Sequence, residues 1–154
     1  MLALNKSFFK YVLAAVASAG LIGCTISPTK EAISTKDAPA AIGPYSQALK
    51  VGNTLYLSGQ IPIDPKTNQI SSHSSIEDQT KLVLENLKAV LAANGMTMND
   101  VVSTTVFLKD LNDFTKMNIV YGGYFTQKHP ARSTVQVARL PRDVSIEISA
   151  IAVK

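Results

Sequence analysis

Two side chains near the end of the chain have the type and the setting to do chemistry. Arg132 follows Pro130 and stands just before an alternating apolar stretch over residues 134–140, which predicts a strand. Glu147 lies between two isoleucines in the middle of the next predicted strand. An arginine fork can bind a carboxylate at two points, and a half-buried glutamate can exchange protons with water. Together they predict a small site for a carboxylate-bearing substrate that needs proton transfer.

The composition predicts one globular domain that does not bind nucleic acid. The chain has 154 residues, of which 46% are hydrophobic and 17% are charged. Its formal net charge is +4, and without Lys6 and Lys10 it has 13 bases against 11 acids, a net charge of +2. The bases are scattered and do not interleave with aromatic residues, so no nucleic-acid surface is predicted.

Cysteine and histidine are too few to predict a metal site or a disulfide. Cys24 is the single cysteine of the sequence, so it has no partner for an internal disulfide. The two histidines, His73 and His129, are far apart and neither has a neighbour at ligand spacing. No metal or other cofactor is therefore expected.

The N-terminus has the pattern of a bacterial lipoprotein signal peptide. Residues 1–23 combine a short basic region with an apolar segment that is too short for a comfortable membrane span. The following Leu21-Ile22-Gly23-Cys24 resembles a lipobox, which predicts cleavage before Cys24 and lipidation of that cysteine. An aspartate directly after the lipidated cysteine is a signal for retention in the inner membrane. This chain has Thr25 at that position, so the expected location is the periplasmic face of the outer membrane. Residues 24–36 are predicted to be a flexible tether.

Two other interpretations of this segment stay open. One is a buried cysteine on a hydrophobic N-terminal helix. The other is a misassigned start site, which would leave a cytoplasmic protein; Met96 is the first methionine after Met1, so such a start would need a different codon.

Residues 37–154 show strands and helices in mixed order. Stretches 46–51 and 54–58 flank Gly52-Asn53 and predict a hairpin. A helix with a possible capping box at 74–77 is predicted to end at Asn94-Gly95, and residues 101–108 predict an interior strand. A second helix, capped by Asp110 or Asp113, precedes the last two strands, 134–140 and 145–153. The expected fold is α+β, one mixed sheet with two helices on one face, its other face covered by further subunits. The predicted buried face of the second helix consists of Phe114, Met117, Tyr121, Tyr124 and Phe125.

Several motifs in this domain resemble those of one known family. They are APAAIGPYSQA at 38–48, SGQIP at 58–62, NLK at 86–88, TVFLKD at 105–110, RSTV at 132–135, ARLP at 138–141 and IEI at 146–148. Their identity and order make the stretch 36–154 similar to the RidA family, also called YjgF. The N-terminal segment departs from the usual members of that family.

The resemblance implies a fold, an assembly and an activity. The fold is the chorismate-mutase-like sandwich, assembled as a homotrimer around a central barrel with its sites in clefts between subunits. The reaction is hydrolysis of reactive 2-imino or enamino acids, such as 2-iminopropanoate and 2-iminobutanoate, to 2-keto acids and ammonia, without a cofactor.

The resemblance also implies roles for individual residues. Arg132 would hold the substrate carboxylate, and Glu147 would activate the attacking water and pass a proton to departing ammonia. Thr134 stands where several members have cysteine, and its carbonyl would contact the imine nitrogen. The cleft would be completed by Tyr45, Ser58, Gly59 and Asn118.

Each residue also has a plain structural interpretation. Arg132 could pair with Asp143, Glu147 could lie on a solvated sheet face, Tyr45 could belong to the core, and Asn118 could be a surface amide. Two other functions remain open: a trimer that binds small carboxylates without turning them over, and, ranked low, an endoribonuclease.

Overall fold

The structure is a computed structural model that describes residues 29–70 and 74–154. The predicted signal peptide 1–23, the predicted lipidation site Cys24 and His73 lie outside these residues. The described chain forms six strands and two α-helices, besides short 3₁₀ turns. They are β1 (Lys30–Ile33), β2 (Ala48–Val51), β3 (Thr54–Gln60), α1 (Ile76–Ala93), β4 (Val101–Leu108), α2 (Phe114–Tyr124), β5 (Ala131–Gln136) and β6 (Ile146–Val153). Within these ranges no helix is long and apolar enough to cross a membrane.

The strands form one mixed sheet in the order β1-β2-β3-β6-β4-β5. The β4–β5 pair is parallel, and the other neighbouring pairs are antiparallel. The mixed α+β architecture and the interior position of β4 are thus confirmed. The hairpin is confirmed as well, because Val51 pairs with Thr54 across a turn in which Gly52 has φ +59°.

Part of the predicted tether belongs to the sheet. Residues 30–33 form β1, which pairs antiparallel with β2 and brings Lys30 opposite Val51. The expectation of flexible chain over 24–36 is therefore wrong for this stretch. Its sequence, KEAI, has three exposed residues and one buried one, so it carries too little apolar periodicity to predict a strand.

Both helices pack on the same face of the sheet. Along β6 the residues Ile146, Ile148, Ala150 and Ala152 are buried in the main core beneath the helices, in strict alternation with their neighbours. The opposite face is covered near Phe107 by a second cluster of Ile61, Ile63, Leu140 and Val144; elsewhere the described chain leaves it open, and it displays large apolar side chains. Those exposed on this face are Leu49, Tyr56, Val135, Ile151 and Val153.

Three local expectations need correction. Ser75, rather than Ser74, caps α1, because its hydroxyl accepts from the Asp78 backbone N–H at 3.1 Å. Asp110 caps the 3₁₀ turn before α2 by accepting from the Asn112 backbone N–H, whereas Asp113 occupies the α2 N-cap position without a capping hydrogen bond. The strand expected at 134–140 instead occupies Ala131–Gln136, so Arg132 lies inside β5 rather than before it.

The predicted buried face of α2 is only partly confirmed. Met117, Tyr121 and Phe125 are buried, and Tyr124 is half-buried. Phe114, the first residue of the helix, is 37% exposed.

A buried amide ties α1 to the segment that follows β3. Asn86 is 1% exposed and its Nδ2 donates to the carbonyls of Ile61 at 3.4 Å and Ile63 at 3.0 Å. Pro62 between them has no N–H, so this segment cannot extend a regular ladder. The Asn86 amide therefore supplies a donor to both carbonyls, and the Ile63 backbone N–H gives the Ile61 carbonyl a second donor at 2.8 Å.

We expect Asn86→Ala to destabilise the domain by about 1–3 kcal/mol, because the Ile63 carbonyl would lose its Asn86 donor and the Ile61 carbonyl would lose one of its two donors. Chemical denaturation followed by circular dichroism measures this change. Lys81→Ala, at an exposed position of the same helix, is the matched control and should stay within about 0.5 kcal/mol of the wild type. An equally small effect of Asn86→Ala would show that these hydrogen bonds do not hold the segment.

Candidate active site

Arg132 projects from β5 to the helix-covered side of the sheet. It lies beside Thr104 of β4 in the parallel register, and the Thr104 hydroxyl is hydrogen-bonded to the Tyr121 hydroxyl of α2 at 2.7 Å. The Arg132 guanidinium carbon stands 4.6 Å from the centroid of the Tyr121 ring and 5.6 Å from that of Phe114. Its side chain opens into a cavity of about 430 Å³. The other residues lining this cavity are Asn118, Tyr121, Gly122, His129 and Pro130.

The alternative pairing of Arg132 with Asp143 is wrong. Arg139 binds both carboxylate oxygens of Asp143, at 2.6 and 2.9 Å, on the exposed surface. This pairing lowers the pKa of the Asp143 carboxyl. Nowhere in the described chain does a carboxylate lie within ion-pair distance of Arg132. Its guanidinium edges are available for an anionic ligand.

Asn118 and Thr134 lie near the arginine. Asn118 lines the same cavity as Arg132. Thr134 is two residues along β5 and therefore shares a sheet face with Arg132. Its hydroxyl is buried and has no hydrogen-bond partner in the described part of the chain.

Glu147 points to the opposite, open side of the sheet. It alternates with the core residues Ile146 and Ile148, and it pairs with Phe107 of β4. Its carboxylate borders a second cavity, of about 320 Å³. Burial raises the pKa of this carboxyl above its ordinary value. Ile42, Ile61 and Pro141 supply apolar walls that account for this desolvation.

Gly59 lies directly against this carboxylate. A Cβ added to Gly59 would overlap the Glu147 carboxylate and lie 2.8 Å from its carboxyl carbon, so Glu147 keeps its present position only beside a residue without a side chain. The β3–β6 pairing is irregular here, between Leu57 and Gln60.

Tyr45 and Ser58 complete the wall around Glu147. Tyr45 lines the cavity and is 47% exposed, so the alternative of a core tyrosine is wrong. Its hydroxyl accepts from the Ile42 backbone N–H at 3.3 Å. The Ser58 hydroxyl donates to the Ser46 carbonyl at 2.7 Å, which ties the Tyr45 segment to β3.

The predicted residues therefore form two groups on opposite faces of one sheet. Arg132, Asn118 and Thr134 are on the helix side; Glu147 and Tyr45 are on the open side, with Ser58 and Gly59 in the same cavity. Within one copy of the chain Arg132 and Glu147 do not share a cavity. One group contains a cationic guanidinium and the other contains a carboxyl group.

Sequence reasoning did not identify His129 as a cavity residue. It lines the Arg132 cavity from the loop between α2 and β5. The available signal was its position three residues before Arg132, next to Pro130, whose restricted backbone holds the loop against the strand entrance.

Known proteins resemble this chain over nearly all of its described part. The family model described as endoribonuclease L-PSP matches residues 35–154. A RutC family protein of Pyrococcus horikoshii is 60% identical over 125 residues, covering 81% of this chain and 98% of the relative. A 2-iminobutanoate/2-iminopropanoate deaminase of Salmonella typhimurium is 51% identical over 125 residues, covering 79% and 96%.

Solved structures share the fold at similar identity. A putative endoribonuclease of Thermotoga maritima superposes with a TM-score of 0.79 at 54% identity, covering 82% of this chain and 98% of that one. E. coli TdcF with bound serine gives 0.77 at 47% identity, covering 80% and 98%. The YjgF gene product of E. coli gives 0.77 at 50% identity, with the same coverage. The chain therefore belongs to the family described as endoribonuclease L-PSP, which is the RidA (YjgF) family that its motifs resemble.

Proposed function

We propose that this protein hydrolyses 2-imino and enamino acids, such as 2-iminobutanoate and 2-iminopropanoate, to 2-keto acids and ammonia. The observation that carries the proposal is the pair Arg132 and Glu147, neither of which forms an ion pair within the described residues, in cavities lined by the residues that the family resemblance implies. The Salmonella relative named for this activity supports it. The bound serine of E. coli TdcF also supports it, because serine carries the carboxylate that Arg132 is suited to bind.

The proposal requires a second copy of the chain at each site. Since Arg132 and Glu147 lie on opposite faces of the sheet, one subunit would supply the arginine half and its neighbour the glutamate half. The open sheet face offers the apolar surface for such an assembly, with Leu49, Tyr56 and Ile151 side by side across three strands. We infer the homotrimer around a central barrel that the family resemblance implies.

In the proposed mechanism the substrate is oriented before any bond changes. Arg132 binds the substrate carboxylate through its guanidinium edge, which fixes the position of the adjacent imine carbon. Glu147 of the neighbouring subunit then faces this carbon with a water molecule between them. The apolar wall around Glu147 raises the pKa of its carboxyl, which makes the carboxylate a stronger base toward that water.

Two proton transfers through Glu147 complete the hydrolysis. Water oxygen bonds to the imine carbon while Glu147 takes a water proton and delivers it to the nitrogen, which gives a carbinolamine. Glu147 then takes the hydroxyl proton and delivers it to the amino nitrogen as the C–N bond breaks. Ammonia leaves, the C=O bond forms and Glu147 returns to its starting state, so no cofactor is needed.

A carboxylate-binding protein without turnover would use the same Arg132 cavity. The desolvated Glu147 favours catalysis over this alternative, because simple carboxylate binding has no use for a second negative group. Ribonuclease activity, which the family description names, stays the lowest-ranked alternative. The cavities hold one arginine, one histidine and one glutamate, without the row of cations that tracks a phosphate backbone.

The proposed location is the cell envelope, at the periplasmic face of the outer membrane, with the lipid on Cys24. It rests on residues 1–24 alone, since the family model begins at residue 35.

Mixed oligomers test whether two subunits form each site. Arg132→Ala and Glu147→Gln should each abolish hydrolysis of 2-iminobutanoate generated in situ. When the two variants are co-expressed in equal amounts, a site works only if its arginine comes from one variant and its glutamate from the other. Random assembly then predicts about a quarter of wild-type activity.

Zero activity in the mixture, with mixed assembly verified by two affinity tags, would contradict a site shared between subunits. Wild-type turnover in either single variant would contradict the proposed roles. Glu147→Gln should still bind 2-oxobutanoate. If the wild type binds 2-oxobutanoate but does not hydrolyse 2-iminobutanoate, the non-catalytic alternative would be favoured.

The raised pKa of Glu147 predicts a stabilising substitution. Because burial raises this pKa in the folded chain, folding at neutral pH retains a poorly solvated negative charge. We expect Glu147→Gln to melt at a higher temperature than the wild type at pH 7. The difference should shrink as pH falls and vanish below the unfolded pKa of about 4.3, where both states are protonated. Melting curves from pH 3.5 to 7.5 measure it, and a difference independent of pH would contradict this cause.

The proposed lipidation is tested in a bacterial host. Wild-type full-length protein should incorporate labelled palmitate and sediment with membranes, and Cys24→Ser should do neither, because the serine hydroxyl is not a substrate for lipoprotein diacylation. Thr25→Ser is the matched control and should behave as the wild type does. Equal labelling of Cys24→Ser would contradict the proposed site.

A further inference from the structure

The arginine of the site is held by aromatic rings. Its guanidinium carbon is 4.6 Å from the Tyr121 ring centroid and 5.6 Å from the Phe114 centroid, both within the range of a cation–π interaction. Among the described residues, no carboxylate forms an ion pair with the Arg132 guanidinium. Aromatic faces attract the positive charge of Arg132 without placing a negative group at its N–H donors.

Tyr121 is itself fixed from two sides. Its side chain is 5% exposed, and its ring packs against Phe125 with centroids 4.6 Å apart. Its hydroxyl is hydrogen-bonded to Thr104, which lies directly beside Arg132 in the sheet. Burial raises the pKa of the Tyr121 hydroxyl, so it stays protonated and the ring stays neutral. The ring under the guanidinium is therefore anchored to the neighbouring strand.

Phe114 supplies a second ring from the start of α2. It is 37% exposed, so its contact with Arg132 is not required by the packing of the main core. The preceding 3₁₀ turn is capped by Asp110, which sets where the helix begins. Phe114 can therefore be changed without removing a core side chain.

We propose that Phe114 and Tyr121 are positioning residues that hold Arg132 by its faces and leave its N–H edges free for the substrate carboxylate. An acidic partner would stabilise the arginine equally well, but it would occupy the edges and repel an anionic substrate. This inference rests on the proposed deaminase function for its substrate, although the aromatic contact can be measured without it.

The test compares Phe114→Leu with Phe114→Tyr in the full chain. Leucine keeps apolar contact but removes the ring, and tyrosine keeps the ring. Because the carboxylate is bound in both the ground state and the transition state, we expect Phe114→Leu to raise KM for 2-iminobutanoate and Kd for 2-oxobutanoate about two- to fivefold with kcat unchanged. Phe114→Tyr should match the wild type.

A spectroscopic measurement separates this proposal from the deaminase function. The Arg132 side-chain Nε–Hε resonance should move in Phe114→Leu, because the Phe114 part of its ring-current shift is lost while the Tyr121 part remains, and it should keep its position in Phe114→Tyr, whether or not the wild type hydrolyses imines. An unchanged resonance in folded Phe114→Leu would overturn the aromatic contact. A lowered kcat with unchanged KM and Kd would mark a purely structural role and overturn the positioning role. Absence of hydrolysis and of 2-oxobutanoate binding in the wild type would instead refute the proposed function.

Discussion

The two-residue period of a β-strand separates the groups on which the proposed chemistry depends. Glu147 lies between two core residues of β6, so its side chain must leave the sheet on the open side. Arg132 lies beside Thr104, which faces the helices, so its side chain leaves on the other side. No rotamer change can bring the two together through a hydrogen-bonded sheet. The proposed site therefore needs a neighbouring copy, for which the exposed apolar side chains of the open face offer a surface.

Arg132 and Glu147 have no oppositely charged neighbour among the described residues, unlike the charged pairs on the surface. On the surface, Arg139 pairs with Asp143 and Lys88 with Glu85, exposed pairs that contribute little to stability. Arg132 faces aromatic rings, and Glu147 faces apolar walls and a glycine. Leaving a carboxylate desolvated opposes folding, so the setting of Glu147 is one that stability alone does not favour.

The elements predictable from sequence are those whose own periodicity identifies them. Helix α1 shows apolar residues at helical spacing and an Asn94-Gly95 stop, and β6 alternates strictly. Strand β1 could not be predicted, because its one buried residue gives no period and its stability comes from pairing with β2. The site residues were predicted from the family motifs. Their separation on two faces depends on the register of β4, β5 and β6, which a single sequence does not specify.

Two buried amide side chains, Gln47 and Asn86, would not be predicted from the hydrophobic pattern of the sequence. Both bind irregular segments that lie near Glu147. Gln47 is 4% exposed and donates to the carbonyls of Thr35, Ala38 and Pro39, while its oxygen accepts from the Thr35 N–H. Asn86 donates in the same way to the segment after β3. Of the glutamate cavity's lining residues, Ile42 follows the segment bound by Gln47 and Ile61 belongs to the segment bound by Asn86. Two side-chain amides thus supply hydrogen bonds next to this cavity in segments that do not continue the sheet.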